Sequence, residues 1–173
     1  RKSFTEALSP VIGHYYSILS GGKEEVRAEY RSDLSLSSLQ SLLEASRRKD
    51  QYLGYTTSGI QRDDIVFLMD GHPIRRDGSQ GQQKSFLVSL KFAQYELMKQ
   101  ESGVPPTLLL DDVFDKLDMD RTSNLLGLVA GSDFGQIFIT DSNKVRLSGI
   151  VDGVTADRAY FTASGGCFTM EEV

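Results

Sequence analysis

Pro106-Thr107-Leu108-Leu109-Leu110-Asp111-Asp112-Val113 is an apolar run that ends in two adjacent carboxylates. Such a run reads as a buried strand that delivers charge to the edge of a sheet. Upstream of it, Phe86, Leu87, Leu90, Ala93, Leu97 and Met98 line one face of a helix expected from about Gln82 to Glu101. Gly103 and Pro105-Pro106 would terminate that helix. Downstream, Leu125, Leu126, Leu128 and Val129 mark a second helix ending near Gly131, and residues 136–140 form the next strand. The order helix, buried strand, helix, buried strand predicts an α/β fold with a mainly parallel sheet.

Further towards the start of the chain, Phe4, Leu8, Ile12, Tyr15, Tyr16 and Leu19 recur at helical spacing and Gly21-Gly22 stops them. Pro10 falls inside that pattern, so the helix either begins near Ser9 or is kinked there. Val26, Ala28 and Tyr30 alternate with charges over residues 24–31, the pattern of a one-faced strand. Leu36, Leu39, Leu42 and Leu43 predict a helix over residues 36–49, capped by Ser35 or Ser37 and closed by Arg47-Arg48-Lys49. The small residues between 52 and 60 mark a boundary. Ile65–Met69 reads as a strand, Asp70-Gly71 as a hairpin turn, and residues 72–75 as the returning strand. Past Gly149 the pattern supports only short edge strands such as Arg158–Ala163.

The 173 residues suffice for one good core, or for one domain with an appendage. With 39% hydrophobic and 25% charged residues, disorder is not the default. No apolar run approaches a membrane span and no signal-peptide pattern opens the chain. The start at Arg1 rather than Met fits a fragment or a processed start. A lone Cys167 excludes an internal disulfide and fits a reducing cytoplasm. Net charge is −5, with a net +2 over residues 1–62 and −7 over 63–173. Bulk electrostatics therefore do not point to nucleic acid.

Two stretches carry candidate chemistry. In a parallel sheet the C-terminal strand ends face the ligand crevice. There, one carboxylate of Asp111-Asp112 could hold Mg²⁺ while its neighbour orients an attacking water; the same pair would also serve as caps of the next turn. The second stretch is Asp77-Gly78-Ser79-Gln80-Gly81-Gln82-Gln83-Lys84, whose small residues, hydroxyl and helix start suit an anion, or make Ser79 an ordinary N-cap. Asp118 could cap the helix beginning near Met119 or reach a nucleotide site across an interface. Thr140-Asp141 ends the following strand, where a polar side chain would face a terminal phosphate. No G-x-x-x-x-G-K-[ST] phosphate loop occurs, and Gly21-Gly22-Lys23-Glu24 lacks its spacing. His14 and His72 stand in no metal-ligand spacing, and neither belongs to a nucleophile-elbow pattern.

Taken together, Ser79-Gln80-Gly81-Gln82 resembles the signature motif of ABC-type ATPases. Leu108–Asp112, followed by Asp115-Lys116-Leu117-Asp118, resembles their Walker B strand and D-loop. The finer resemblance is to the RecF family, recombination-mediator ATPases related to SMC proteins. It is carried by residues 57–65, by Ser79–Lys84 and by the double-Asp Leu109–Val113, strongly over residues 52–142. The resemblance implies the C-terminal portion of an ABC-type, SMC-like ATPase head (residues 58–173), preceded by part of a helical arm (residues 1–57).

It further implies an ATP-dependent homodimer acting on DNA near single-strand/double-strand junctions, helping RecO and RecR to load RecA at gaps. Carried over residue by residue, Asp111 becomes the Mg²⁺-associated acid and Asp112 the catalytic position. Ser79, Gln80, Gly81 and Gln82 face ATP held by the opposite subunit, Asp118 lies at the dimer seam, and Thr140 sits at the switch position. Gln61 departs from the family's His, Asp115 takes a position often held by Ser, and Thr140 stands where many ABC enzymes carry a switch His. Arg47, Arg48, Arg75 and Arg76 are candidate DNA contacts. The alternative is a noncatalytic SMC-like interaction module that assembles with DNA-processing proteins without ATP turnover.

Overall fold

Helix α1 (Lys2–Ser20) turns Leu8, Ile12, Tyr15, Tyr16 and Leu19 to the interior and ends at Gly21, whose left-handed backbone (φ 69°) closes the last turn. This computed structural model describes residues 1–129, 131, 134–153 and 155–171. Pro10 neither starts nor ends α1. It lies on the exposed side with Glu6, so the carbonyl it leaves without a helical donor faces solvent while the apolar stripe holds the helix together.

Strand β1 (Val26–Arg31) runs along α1 and pairs antiparallel with β2 (Asp64–Met69). The approach is close: the Ala28 amide donates to Ser9 Oγ at 2.9 Å, and a Cβ at Gly13 would lie 3.3 Å from the Val26 carbonyl oxygen. Asp70 and Gly71 both take positive φ (48° and 82°), the two-residue hairpin geometry expected of Asp-Gly. The returning strand β3 is only His72–Pro73, shorter than the four residues expected. Ile74 instead opens a helical turn, α3 (Ile74–Asp77), and buries its side chain in the core.

Helix α4 (Gln80–Ser102) is the spine of the molecule. Ser79 caps it in a reciprocal box with Gln82, and Gly103 closes it in the left-handed conformation. Its inner face carries Phe86, Val88, Phe92, Ala93 and Tyr95 against α1. Strand β4 (Leu108–Asp111) pairs in parallel with β5 (Ile137–Thr140), and α5 (Met119–Val129) connects them, as the sequence order demands. The expected end of α5 near Gly131 abuts Ala130, which lies outside the described residues. Parallel pairing is confined to β4–β5 among the described residues, since β1–β2–β3 is antiparallel. Helix α6 (Lys144–Val151) and the hairpin β6 (Phe161–Ser164) to β7 (Cys167–Met170) follow.

Two expectations for the serine-rich stretch are corrected. Helix α2 spans Leu39–Leu53, with Ser38 as its cap rather than Ser35 or Ser37: a 3-10 turn over Asp33–Ser35 takes up Ser35, and the Ser37 amide donates back to the Asp33 carbonyl at 3.1 Å. Arg47-Arg48-Lys49 lies mid-helix; Gly54, not the cations, ends it. None of α2 is buried, so the Leu36, Leu39, Leu42 and Leu43 stripe finds no core here.

The core therefore lies between α1 and α4, with β1–β2, β4 and α5 around it. Phe92, fully buried, packs its ring at a tilt of 48° against Tyr15 (centroids 5.4 Å apart) and against Phe134 (5.3 Å). The outer face of β4–β5 is open: Leu109 is 71% and its register partner Phe138 51% exposed. Phe92→Ala should lower folding stability by about 3–5 kcal/mol in urea denaturation, and Leu109→Ala by no more than about 0.5 kcal/mol; equal effects would contradict this layering. Burial, with the Glu24 carboxylate second, pushes the Tyr16 hydroxyl from 10.0 up to about 12. The folded state thus holds this proton longer than the unfolded chain, so its contribution is complete below pH 10 and is lost as pH rises towards 12. Subtracting the unfolding free energy of Tyr16→Phe from that of the parent should leave a difference that falls over this alkaline range. A flat difference would show that Tyr16 is not held protonated by the fold.

Candidate nucleotide site

Asp111 is the last residue of β4, opposite Thr140 at the end of β5. The Thr140 hydroxyl donates to the Asp111 carboxylate. The next residue, Asp112, leaves the strand with a left-handed backbone (φ 46°), a conformation that Asp tolerates better than most non-glycine residues. Its amide donates to the Thr140 carbonyl at 3.1 Å and to Thr140 Oγ1 at 3.3 Å. Both Asp side chains are exposed. The parallel pairing thus sets two carboxylates and one hydroxyl side by side at the strand ends. Among the described residues no cluster of three His, Cys, Asp or Glu side chains could enclose a metal. A single carboxylate such as Asp111 fits Mg²⁺ only in the manner in which that ion takes most of its shell from phosphate oxygens and water.

The start of α4 approaches the same loop. Lys84 Nζ donates to the Asp112 carbonyl at 3.0 Å, and a Cβ at Gly81 would lie 3.3 Å from the Lys116 carbonyl oxygen. A larger residue than glycine at position 81 would push the post-strand loop away. Ser79 Oγ accepts from the Gln82 amide at 3.3 Å, and Gln82 Oε1 accepts from the Ser79 amide at 2.8 Å. Ser79 is exposed at this helix start, where first-turn amides are the usual donors to an anion. Gln80 is exposed beside them.

Asp118 caps α5, accepting from the Arg121 amide at 2.8 Å. Sequence reasoning missed the partners that bind this cap to α4. Arg121 donates to Glu24 at 3.1 Å and to Ser85 Oγ at 3.0 Å, and its Nε lies 3.5 Å from the Asp118 carboxylate. Gln82 Nε2 donates to the same Glu24 oxygen at 3.0 Å. Glu24 belongs to the segment set aside as a false phosphate loop, 97 positions from Arg121. The Asp118–Arg121 spacing gave a local hint of an ion pair, but nothing local announced Glu24.

The predicted residues therefore fall into two linked groups. Asp111, Asp112 and Thr140 meet at the strand ends; Ser79, Gly81, Gln82 and Asp118 are joined through Glu24 and Arg121. Lys84 bridges one group to the other. Asp115 is exposed in the loop between them, and Gln61 lies apart, donating to the Thr56 and Ser58 carbonyls.

No protein-family model matches the chain. It is 46% identical over 151 residues to the DNA replication and repair protein RecF of Flavobacterium johnsoniae, covering 87% of this chain and 42% of that protein. RecF of Bacteroides fragilis is 42% identical over 173 residues, covering 99% of this chain and 47% of its own length. The chain thus spans a little under half the length of the curated relatives it matches. Among solved structures, the recombination mediator protein RecF-ATPrS of the RecFOR pathway superposes with a TM-score of 0.72 at 26% identity, covering 97% of this chain and 44% of that one. The fold is also that of SMC ATPase heads. The chain belongs to the RecF family and corresponds to a C-terminal part of its members.

Proposed function

We propose that this chain supplies the Walker B, D-loop and signature portions of a RecF-type DNA repair ATPase that binds ATP at a dimer interface. One observation carries the reading: Asp111, Asp112 and Thr140 share the ends of a parallel strand pair, while the Ser79-capped start of α4 is held against the same loop. Asp111 would hold Mg²⁺, whose chemistry is to neutralise charge on the phosphate oxygens. Asp112, fixed by its backbone bonds to Thr140, would orient water for attack. The amides at the start of α4 and the Ser79 hydroxyl would stabilise negative charge on a nucleotide bound by the opposite subunit. Gln82, whose amide group is occupied inside its own subunit, would act by shaping the turn, with Gln80 and Gly81 presenting backbone. Asp118 would sit at the dimer seam.

The phosphate loop is not in this sequence, so tight nucleotide binding needs the rest of a protein of the relatives' length. In that setting the reading extends to gapped DNA, to RecR- and RecO-like mediators, to RecA loading and to a cytoplasmic location, with residues 1–57 as part of the helical arm. Thr140 in place of a switch His fits slow turnover.

In the full-length protein with gapped DNA, Asp112→Asn should cut the ATP turnover rate by about 10²–10⁴-fold. Asp112→Gly should lose turnover as well, yet keep or raise folding stability by up to about 1 kcal/mol, because glycine relieves the left-handed backbone. Full turnover in both variants would remove the catalytic role and leave an interaction module.

A further inference from the structure

We propose that Arg121 and Glu24 form a positioning pair that makes the start of α4 and the Asp118 turn move as one rigid body. The proposal rests on the reading that both segments face the nucleotide of the opposite subunit.

The connections are specific. Arg121 reaches three places at once: Glu24, Ser85 and Asp118. Ser85 in turn donates its hydroxyl to the Gly81 carbonyl at 2.9 Å, so Arg121 is tied to the glycine of the signature turn through one side chain. Glu24 is tied to the other half of that turn: Gln82 donates to it with one end of its amide and accepts from the Ser79 backbone with the other. Every residue of the turn except Gln80 is thereby linked to the pair. The fork geometry of the guanidinium is what allows one residue to serve three partners, and a lysine could not.

Stability does not account for the arrangement. The Arg121 and Glu24 side chains are only 12% and 13% exposed, and both accepted bonds fall on one oxygen of Glu24. Its second oxygen is buried with no hydrogen-bond partner among the described residues. A buried pair with an unsatisfied oxygen gains little over apolar side chains of similar size, which often fold as well or better. Placement of the two segments is what an apolar pair would not reproduce.

The test compares the full-length protein with the double variant Glu24→Leu/Arg121→Met, reading dimerisation driven by a non-hydrolysable ATP analogue in sedimentation, steady-state turnover and nucleotide-free thermal unfolding. The expected result is an unfolding temperature equal to or above the parent's, with the dimer weakened about tenfold or more. Turnover should fall in parallel, while the KM for ATP stays within about twofold because the phosphate loop is untouched. Should the double variant not fold, Glu24→Gln and Arg121→Lys are read in the same way, each expected to weaken the dimer and lower turnover. Unchanged dimerisation and turnover in folded variants would overturn the proposal. Ser79→Arg separates the two ideas: if it abolishes dimerisation and the pair variants do not, the positioning role alone fails. If Ser79→Arg also dimerises normally, the composite-site reading fails and the positioning role with it.

Discussion

Phe92 sits at the middle of α4, out of solvent, with Tyr15 of α1 on one side and Phe134 before β5 on the other. Aromatic contacts at these distances add to a large area burial and fix the angle at which the two helices meet. Everything used by the site hangs from that contact. The start of α4 is placed a few turns upstream of Phe92, and β4 and β5 reach the core through Leu108, Leu110, Ile137 and Ile139 on their inner faces. Because α4 is a continuous helix from its Ser79 cap to Gly103, fixing its middle fixes its first turn relative to the strand ends. The site is therefore an outcome of helix packing more than of the loops that display it.

The same packing explains what could be read in advance. Helix α4 and strands β4 and β5 were legible because each has a strong internal period and sharp punctuation: Ser79 and Gly103 for the helix, proline before the strand and two Asp after it. The strand-end residues followed, since a parallel pair places residues at the same level with little freedom. Helix α2 was legible in type but not in limits. Ser35, Ser37 and Ser38 have equal capping chemistry, and the choice among them is made by a 3-10 turn that no periodicity announces. Ile74 was misread as strand because its apolar character fits either state; burial against the core decides for a helical turn. Glu24 was illegible for a different reason. Its role depends on bringing together three segments distant in sequence, and its local neighbours, Gly21, Gly22 and Lys23, suggested another motif.

Two exposed apolar surfaces fit the proposed larger assembly. The outer face of β4–β5 presents Leu109 and Phe138, and α2 presents its leucines, without cover among the described residues. The chain spans less than half of its relatives' length, and in the proposed reading the remainder completes the head. The exposed start of α4 at Ser79 and the carboxylates at Asp111 and Asp112 belong to one subunit yet, in the proposed dimer, serve two different nucleotides. Lys84, from the first helical turns of α4 to the Asp112 carbonyl, is the direct contact between those two half-sites.

The central claim, that one subunit's strand ends are completed by the other's helix start, is tested most directly by mixing two inactive full-length variants, Asp112→Asn and Ser79→Arg. A mixed dimer holds one site with both defects and one with neither. An equimolar mixture should therefore recover turnover that neither variant shows alone, up to about a quarter of the wild-type rate, from the one intact site of each mixed dimer. No recovery on mixing, with dimers formed, would mean that each site is built within a single subunit and would contradict the account.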